Sequence, residues 1–281
     1  MSTVERQLSR RQLIKGLAAA AIGTATGVSA HGYLYERHHL ELVEACLRIE
    51  AWPNALDGVR IGLITDLHRS STVSHQMIAR AVSAVMARTP DLILLGGDYV
   101  THRDGRYAAA AAEALSGARA PHGVFAVLGN HDDERHVPRA LAARGFDVLA
   151  DARTTVRIRG ERLELAGLRY WTRSLATVAR VVNGSSGPLV LLAHDPRRLI
   201  EAASLSVPLL LSGHTHGGQI VLPGLGAIAA RKFPVLAGIG HRGGTTVFVS
   251  RGVGTVYLPV RVNCPPEVAI LTLRGGGGCR T

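Results

Sequence analysis

Five short apolar runs in this 281-residue chain each lead into a residue able to bind a metal ion. Leu63-Ile64-Thr65 leads into Asp66-Leu67-His68, and Leu92–Leu95 into Gly96-Gly97-Asp98. Val124–Leu128 leads into Gly129-Asn130-His131-Asp132, Leu189–Ala193 into His194-Asp195, and Leu209–Leu211 into Gly213-His214-Thr215-His216-Gly217-Gly218. Unbroken apolar runs this short read as strands covered on both faces. A chain that buries five such strands and still brings their polar ends together has few architectures open to it.

The segments between the runs narrow the choice. Leu42–Ile49 alternates apolar and polar residues, as a half-buried strand does, and Val59–Thr65 follows a turn at Pro53–Gly58. Ser74 is placed to cap a helix over His75–Arg88, with Met77, Ala81, Val85 and Met86 facing inward and Thr89-Pro90 stopping it. Arg106–Arg119 and Glu134–Arg144 read as further helices, and Phe146–Leu149 continues the strand–helix rhythm. Then the rhythm changes. Thr154–Arg159 and Arg162–Leu168, joined through Gly160, read as a hairpin, followed by a helix over Ser174–Val182 and another begun by Asp195-Pro196. Short strands such as Thr245–Ser250 and Val268–Thr272 fill the Gly- and Pro-rich last third. This order predicts an α/β (α+β) fold, two packed mixed sheets flanked by helices in a four-layer αββα sandwich. With no internal repeat or linker, residues 31–273 are expected to form one domain and residues 274–281 a flexible Gly-rich tail.

The polar ends carry the chemistry. Asp66 and His68 sit two apart on a segment expected to be extended, so their Cβ directions agree and both can meet one ion. His214 and His216 repeat that spacing. Asp98 offers two oxygens and can bridge ions about 3.5–4 Å apart. Asn130 brings a neutral carbonyl oxygen, and His194 and His214 bring imidazoles. One His or Asp at a strand end is more often a structural hydrogen-bonding group than a ligand, but seven such residues in this order favour two adjacent metal sites.

The same order of motifs resembles the calcineurin-like metallophosphoesterase superfamily over roughly residues 40–273. Gly96-Gly97-Asp98-Tyr99-Val100, His214 to Gln219, Ser250-Arg251-Gly252-Val253-Gly254 and Pro265-Pro266-Glu267 resemble its bacterial exported branch, called YkuE- or YaeI-like. The resemblance implies that Asp66, His68 and His216 hold one metal and Asn130, His194 and His214 the other, with Asp98 between. It implies two divalent ions (Mn, Fe or Zn), a water activated between them that attacks a phosphodiester or pyrophosphate, and His131 as the acid that protonates the departing oxygen. A positioning role for His131, through hydrogen bonds to phosphate, stays open. Some relatives hydrolyse the pyrophosphate of UDP-diacylglucosamine, which implies a lipid-linked or cell-envelope substrate. Asp132, Asp133 and Asp195 are candidates for orienting imidazoles, with plain loop or cap roles as the alternative. Arg69 reads as a surface residue rather than a phosphate contact, and His31, His38, His39, His75, His102, His122, His136 and His241 match no ligand position. The chain departs from the family twice. Thr101 stands where many members carry a second acid, and Asp133-Glu134-Arg135 is more charged than expected.

Composition bears on location and partners. Ser9-Arg10-Arg11-Gln12-Leu13-Ile14-Lys15 followed by an uncharged, weakly apolar stretch resembles a twin-arginine (Tat) export signal, with Val28-Ser29-Ala30 as a cleavage site. Residues 1–30 are therefore expected to be a signal peptide or an uncleaved anchor, handled by the Tat translocase. The protein is expected in the periplasm or cell wall, or at the outer face of the cytoplasmic membrane. The net charge of +11 suits anionic substrates or a lipid surface. No Arg/aromatic binding stripe marks a nucleic-acid site, which disfavours a nuclease. A phosphatase on the same fold and a non-catalytic envelope protein binding metal or polyanions are the competing readings. The three cysteines, Cys46, Cys264 and Cys279, read as free thiols, with a Cys46–Cys264 bridge open to an exported protein.

Overall fold

Strand alternation builds the sandwich. The structure is a computed structural model describing residues 10–185, 187–227 and 232–276. Its strands are β1 (Glu41–Ile49), β2 (Arg60–Ile64), β3 (Leu92–Leu95), β4 (Val124–Ala126), β5 (Asp147–Val148), β6 (Ala152–Ile158) and β7 (Glu161–Leu168). They continue as β8 (Leu189–Ala193), β9 (Leu209–Ser212), β10 (Val221–Leu222), β11 (Gly226–Ala227), β12 (Gly238–Arg242), β13 (Thr245–Val249) and β14 (Glu267–Gly275). One sheet has the order β1-β14-β2-β3-β4-β5 and the other β12-β13-β9-β8-β7-β6, with β10 and β11 as a separate antiparallel pair.

Successive residues of one strand enter different cores. Ile61, Leu63, Leu92 and Leu94 point between the sheets, where they meet Leu163, Leu165, Val190, Leu192, Leu209 and Leu211. Ile93 and Leu95 point the other way, onto α2 (His75–Met86), α3 (Ala108–Ala114) and α4 (His136–Ala142), through Met77, Ile78, Val85, Leu115 and Leu141. Leu191, Ala193 and Leu210 point outward onto α5 (Leu175–Val182) and α6 (Leu199–Ser204). Three stacked cores make four layers, as the sequence predicts, and explain why these strands are apolar at every position. Truncating a central residue such as Leu94 or Leu211 to Ala costs about 2–5 kcal/mol.

Local signals hold with small shifts. The Ser74 side chain accepts the Met77 N–H at 3.2 Å and starts α2. The helix expected over Arg106–Arg119 shortens to α3, because Asp104 caps a 3-10 turn at Gly105–Tyr107 and the chain turns at Ser116-Gly117. The helix expected over Glu134–Arg144 begins at His136, where Asp133 accepts the N–H groups of Arg135 and His136. A first helix, α1, runs from Arg10 to Leu34 across the expected cleavage point. No described helix is long and apolar enough to cross a membrane. The Gly32 carbonyl of α1 accepts the Arg261 N–H, which ties the end of this helix to the domain. Cys264 is a free, buried thiol, so the Cys46–Cys264 bridge is not made, whereas Cys46 is disulfide-bonded and not the free thiol expected; Cys279 and residues 1–9 lie outside the described residues.

In the first sheet β2, β3 and β4 are parallel, and in the second β8 and β9 are parallel. The loops after these five strands bring the predicted ligands together, the position where open α/β sheets bind their ligands.

Candidate metal centre

Asp66, His68 and His216 form one cluster and Asp98, His194 and His214 a second, with potential ligand atoms within 4.8 Å of one another in each. Asp66, His68, Asp98, His194 and His216 are all buried. The clusters adjoin. His194 Nε2 lies 3.2 Å from Asp98 Oδ2 and 3.9 Å from Asp66 Oδ1, while His68 Nε2 lies 3.5 Å from Asp98 Oδ2. The Nε2 atoms of His68 and His216 face each other at 3.1 Å. Asn130 Oδ1 is buried with no hydrogen-bond partner, an orphaned acceptor at the cluster edge. Two convergent imidazoles, shared carboxylates and an unpaired amide oxygen form a donor set that fits two divalent cations.

The backbone that delivers these groups is strained. Asp66, His68, Asp98, His214 and His216 have φ of 53°, 48°, 56°, 71° and 52°. These left-handed values cost about 1–3 kcal/mol apiece and persist where the surroundings enforce them. The expectation that Asp66 and His68 alternate along an extended segment is therefore corrected. β2 ends at Ile64, and two left-handed residues bring the side chains round to one point. Gly97 makes room for the centre: at φ 95°, an added Cβ would sit 2.6 Å from Gly129 N and 2.9 Å from His194 Nδ1.

Hydrogen bonds aim the ligands. His194 Nδ1 lies 2.7 Å from the Gly96 carbonyl, which fixes its proton there and presents Nε2 to Asp98. The His214 N–H donates to both Asp66 oxygens at 3.0 and 3.1 Å. Thr101 Oγ1 stands 3.4 Å from His68 Nδ1, so the residue in the usual acid position adjoins a ligand imidazole. Asp132 accepts the backbone N–H groups of Gly129, Asp98, Tyr99 and Val100. It orients a loop rather than an imidazole. Asp133 caps α4, and Asp195 caps the 3-10 turn Pro196–Arg198 and pairs with Arg197, so both take the plain cap role. Arg69 donates to the carbonyls of Ser70 and Val73 and lies over the Tyr107 ring, as a loop clamp.

Electrostatics match a cation site. Burial pushes the Asp66 carboxyl up to about 6, helped by Asp98 and opposed by His194. Burial also works against ionising Asp98, yet the charge and hydrogen bond of His194 hold its carboxyl well below the usual range. Burial disfavours a charged His194, but Asp98 and Asp66 outweigh it and lift this imidazole to about 10. Burial pulls His68 and His214 down to about 3 and lowers His216 as well. The remaining imidazoles are thus neutral, as ligands must be.

His131 lies beside the clusters, its ring centroid 5.0 Å from that of His68. Its N–H donates to Asp98 Oδ1 at 2.8 Å, and its Nδ1 accepts the His102 N–H at 3.1 Å. With Nδ1 an acceptor, the neutral ring carries its proton on Nε2. It is the backbone amide of His102, not its imidazole, that holds this tautomer; its place beside His131 follows from the loop after Asp98 and has no sequence signal. Arg261 is another residue that the motifs did not reveal. Fully buried, it donates to the carbonyls of Arg251, Gly252, Gly254 and Cys264 and braces the loop against Asp66. Asp98, Asn130, His131, His214 and His216 line a cavity of about 490 Å³, walled by Ile220, Phe233, Val256, Tyr257 and Leu258.

Comparison with known proteins agrees with this geometry. Residues 59–218, more than half the chain, match the calcineurin-like phosphoesterase family. The chain is 30% identical to the metallophosphoesterase YkuE of Bacillus subtilis over 96% of its own length and 99% of that protein. It is 31% identical to the phosphodiesterase YaeI of Escherichia coli over 95% of its length and 99% of that protein. Among solved structures, the NAD nucleotidase of Haemophilus influenzae superposes with a TM-score of 0.51 at 14% identity, covering 69% of this chain and 45% of that one, which shows a shared fold. The chain belongs to the calcineurin-like phosphoesterase family and is a metal-dependent phosphoester hydrolase.

Proposed function

We propose that this protein cleaves a phosphodiester or pyrophosphate bond in an amphiphilic, lipid-linked or envelope substrate outside the cytoplasm. The observation that carries the reading is the convergence of two three-residue clusters beside the orphaned Oδ1 of Asn130. Asp66, His68 and His216 would hold one ion, Asn130, His194 and His214 the other, with Asp98 shared. The mixed oxygen and imidazole set suits Mn²⁺, Fe²⁺ or Zn²⁺. Bound there, such ions supply the positive charge that polarises phosphoryl oxygens and acidifies water.

The chain's own groups do the rest. The Gly96 carbonyl and the Thr101 hydroxyl keep His194 and His68 aimed inward. Burial keeps water away from the carboxylates and strengthens every charge interaction among them. His131 donates its Nε2–H as a hydrogen bond to the departing oxygen; to pass on the proton it must first be the imidazolium, with Nδ1 protonated and the His102 bond given up, and it returns to the neutral ring afterwards.

The cavity supports the substrate class. Among the described residues Lys232 is the one Lys or Arg in its lining, and most of the described wall beyond the ligands is apolar. A diester carries one negative charge per phosphate and an apolar substituent covers that wall, whereas a monoester dianion finds little cationic match there. The Arg10-Arg11 leader and the net charge of +11 support export toward an anionic membrane surface, with the Tat translocase as the partner in transit. The kinship with the phosphodiesterase YaeI supports the diester reading.

Hydrolysis of bis(p-nitrophenyl) phosphate and of p-nitrophenyl phosphate, with and without Mn²⁺, tests it. The expected result is Mn²⁺-dependent turnover of the diester at a rate well above that of the monoester. A preference for the monoester overturns the diesterase assignment, and no turnover of either ester by metal-loaded protein overturns the reading as a whole.

A further inference from the structure

A second cavity, of about 330 Å³, lies beside the metal-lined one, and its chemistry is different. Ser70, Ser71, Thr72, Thr101, Asp104 and Thr255 line it. It shares two residues, Tyr257 and Leu258, with the apolar cavity over the metal ligands. Tyr257 is therefore a ridge between the two. Its φ of 59° is left-handed, a conformation that costs a non-glycine residue about 1–3 kcal/mol. The ring lies 5.9 Å from His131 and 5.7 Å from His102. The second cavity adjoins the centre through Thr101, whose Oγ1 stands 3.4 Å from the outward nitrogen, Nδ1, of His68, and across the Tyr257 ridge beside His131.

We infer that this hydroxyl-lined cavity is a substrate subsite for a polyhydroxy alcohol, such as a glycerol, inositol or sugar unit, esterified to the phosphate whose other substituent lies in the apolar cavity. The inference rests on the phosphodiesterase reading above and deepens it. Serine and threonine hydroxyls donate and accept, as do the hydroxyls of such a ligand, so each can pair with the other. The Asp104 carboxylate is held in place by Arg106, whose Nε and Nη2 donate to its two oxygens at 2.9 and 2.7 Å. Its remaining lone pairs can accept ligand hydroxyls. Tyr107, partly buried beneath Arg69, adds apolar lining for the C–H groups of a sugar. An alkyl chain in this place gives the Thr255 hydroxyl no ligand partner and leaves the Asp104 carboxylate with Arg106 alone. The volume is at the small end of ligand pockets, ~300–1,000 Å³, and so suits one alcohol unit.

Two p-nitrophenyl diesters that differ in the second alcohol, ethyl or myo-inositol, test the assignment on Mn²⁺-loaded full-length protein. Wild type is expected to favour the inositol ester in kcat/KM by about tenfold or more, the discrimination that paired hydroxyls supply. Ser71→Trp, at an exposed lining position, fills the cavity and should abolish that preference while leaving the ethyl ester within about twofold of wild type. Thr255→Val, which removes one hydroxyl at constant shape, should raise KM for the inositol ester alone. Equal rates for the two esters in wild type, or an equal loss on both in either variant, overturn the subsite. Absence of turnover with both esters defeats the phosphodiesterase reading itself, and the subsite with it.

Discussion

Asp132 Oδ2 accepts the backbone N–H of Asp98 at 2.8 Å, so the carboxylate three residues after Gly129 sets the position of the carboxylate proposed to be shared by the two ions. The same oxygen accepts Gly129 N–H at 2.8 Å, and Oδ1 accepts Tyr99 N–H at 2.7 Å and Val100 N–H at 3.2 Å. Burial, with Asp98 close by, lifts the Asp132 carboxyl to about 7. Asp132→Asn keeps the shape but turns two acceptor sites into donors that face N–H groups. Metal affinity or kcat should fall about 10–100-fold, the usual cost of losing a group that orients a ligand. Metal titration and kinetics of the purified variant check this; wild-type values for both would show that the loop positions Asp98 without Asp132.

His131→Ala separates acid catalysis from metal binding. With an alkoxide leaving group, kcat should fall about 10²–10⁴-fold. With p-nitrophenolate, which leaves without a proton, the loss should be far smaller. Metal content should stay at the wild-type level, because His131 reaches the centre through its backbone N–H to Asp98 and its Nδ1 is held by His102. Equal losses with both leaving groups would mean that His131 only positions the phosphate, and loss of metal would make it a ligand.

Metal loading should release protons. The metal-free fold raises His194 to about 10, so at neutral pH this imidazole holds a proton that a cation must displace. Asp66, lifted to about 6, holds a second proton below that pH. The sign follows: metal binds the deprotonated forms, so apparent affinity rises with pH, by about one decade per unit between pH 6 and 8 and more steeply below 6. Calorimetric titration with Mn²⁺ in two buffers of different ionisation enthalpy counts the protons. Release of about one per chain at pH 7 is expected; uptake, or no exchange, would contradict the charge pattern of the site.

The sequence carried the architecture and the six side chains that converge in the two clusters because both come from the same physical pattern. Strands covered on both faces must be apolar throughout, so Leu92–Leu95 and Leu209–Leu211 stand out, and so do Asp98, His214 and His216 just past their ends. Less was legible where Gly replaces that pattern. β12, Gly238–Arg242, alternates glycine with other residues and has little strand signature. Spacing also misled at Asp66 and His68, where convergence comes from left-handed backbone rather than from the two-residue period of a strand. Roles set by contacts distant in sequence left no trace. Asp132 holds residues more than thirty positions away, and the His102 backbone amide steers His131 from 29 positions away.

Anomalous diffraction from crystals of Mn²⁺-loaded protein reports most directly on the claim beneath all of this. Two peaks are predicted about 3.5–4 Å apart. One should lie among Asp66, His68, Asp98 and His216, the other among Asp98, Asn130, His194 and His214. A single peak, or a pair that leaves Asn130 Oδ1 unligated, would contradict the two-ion centre.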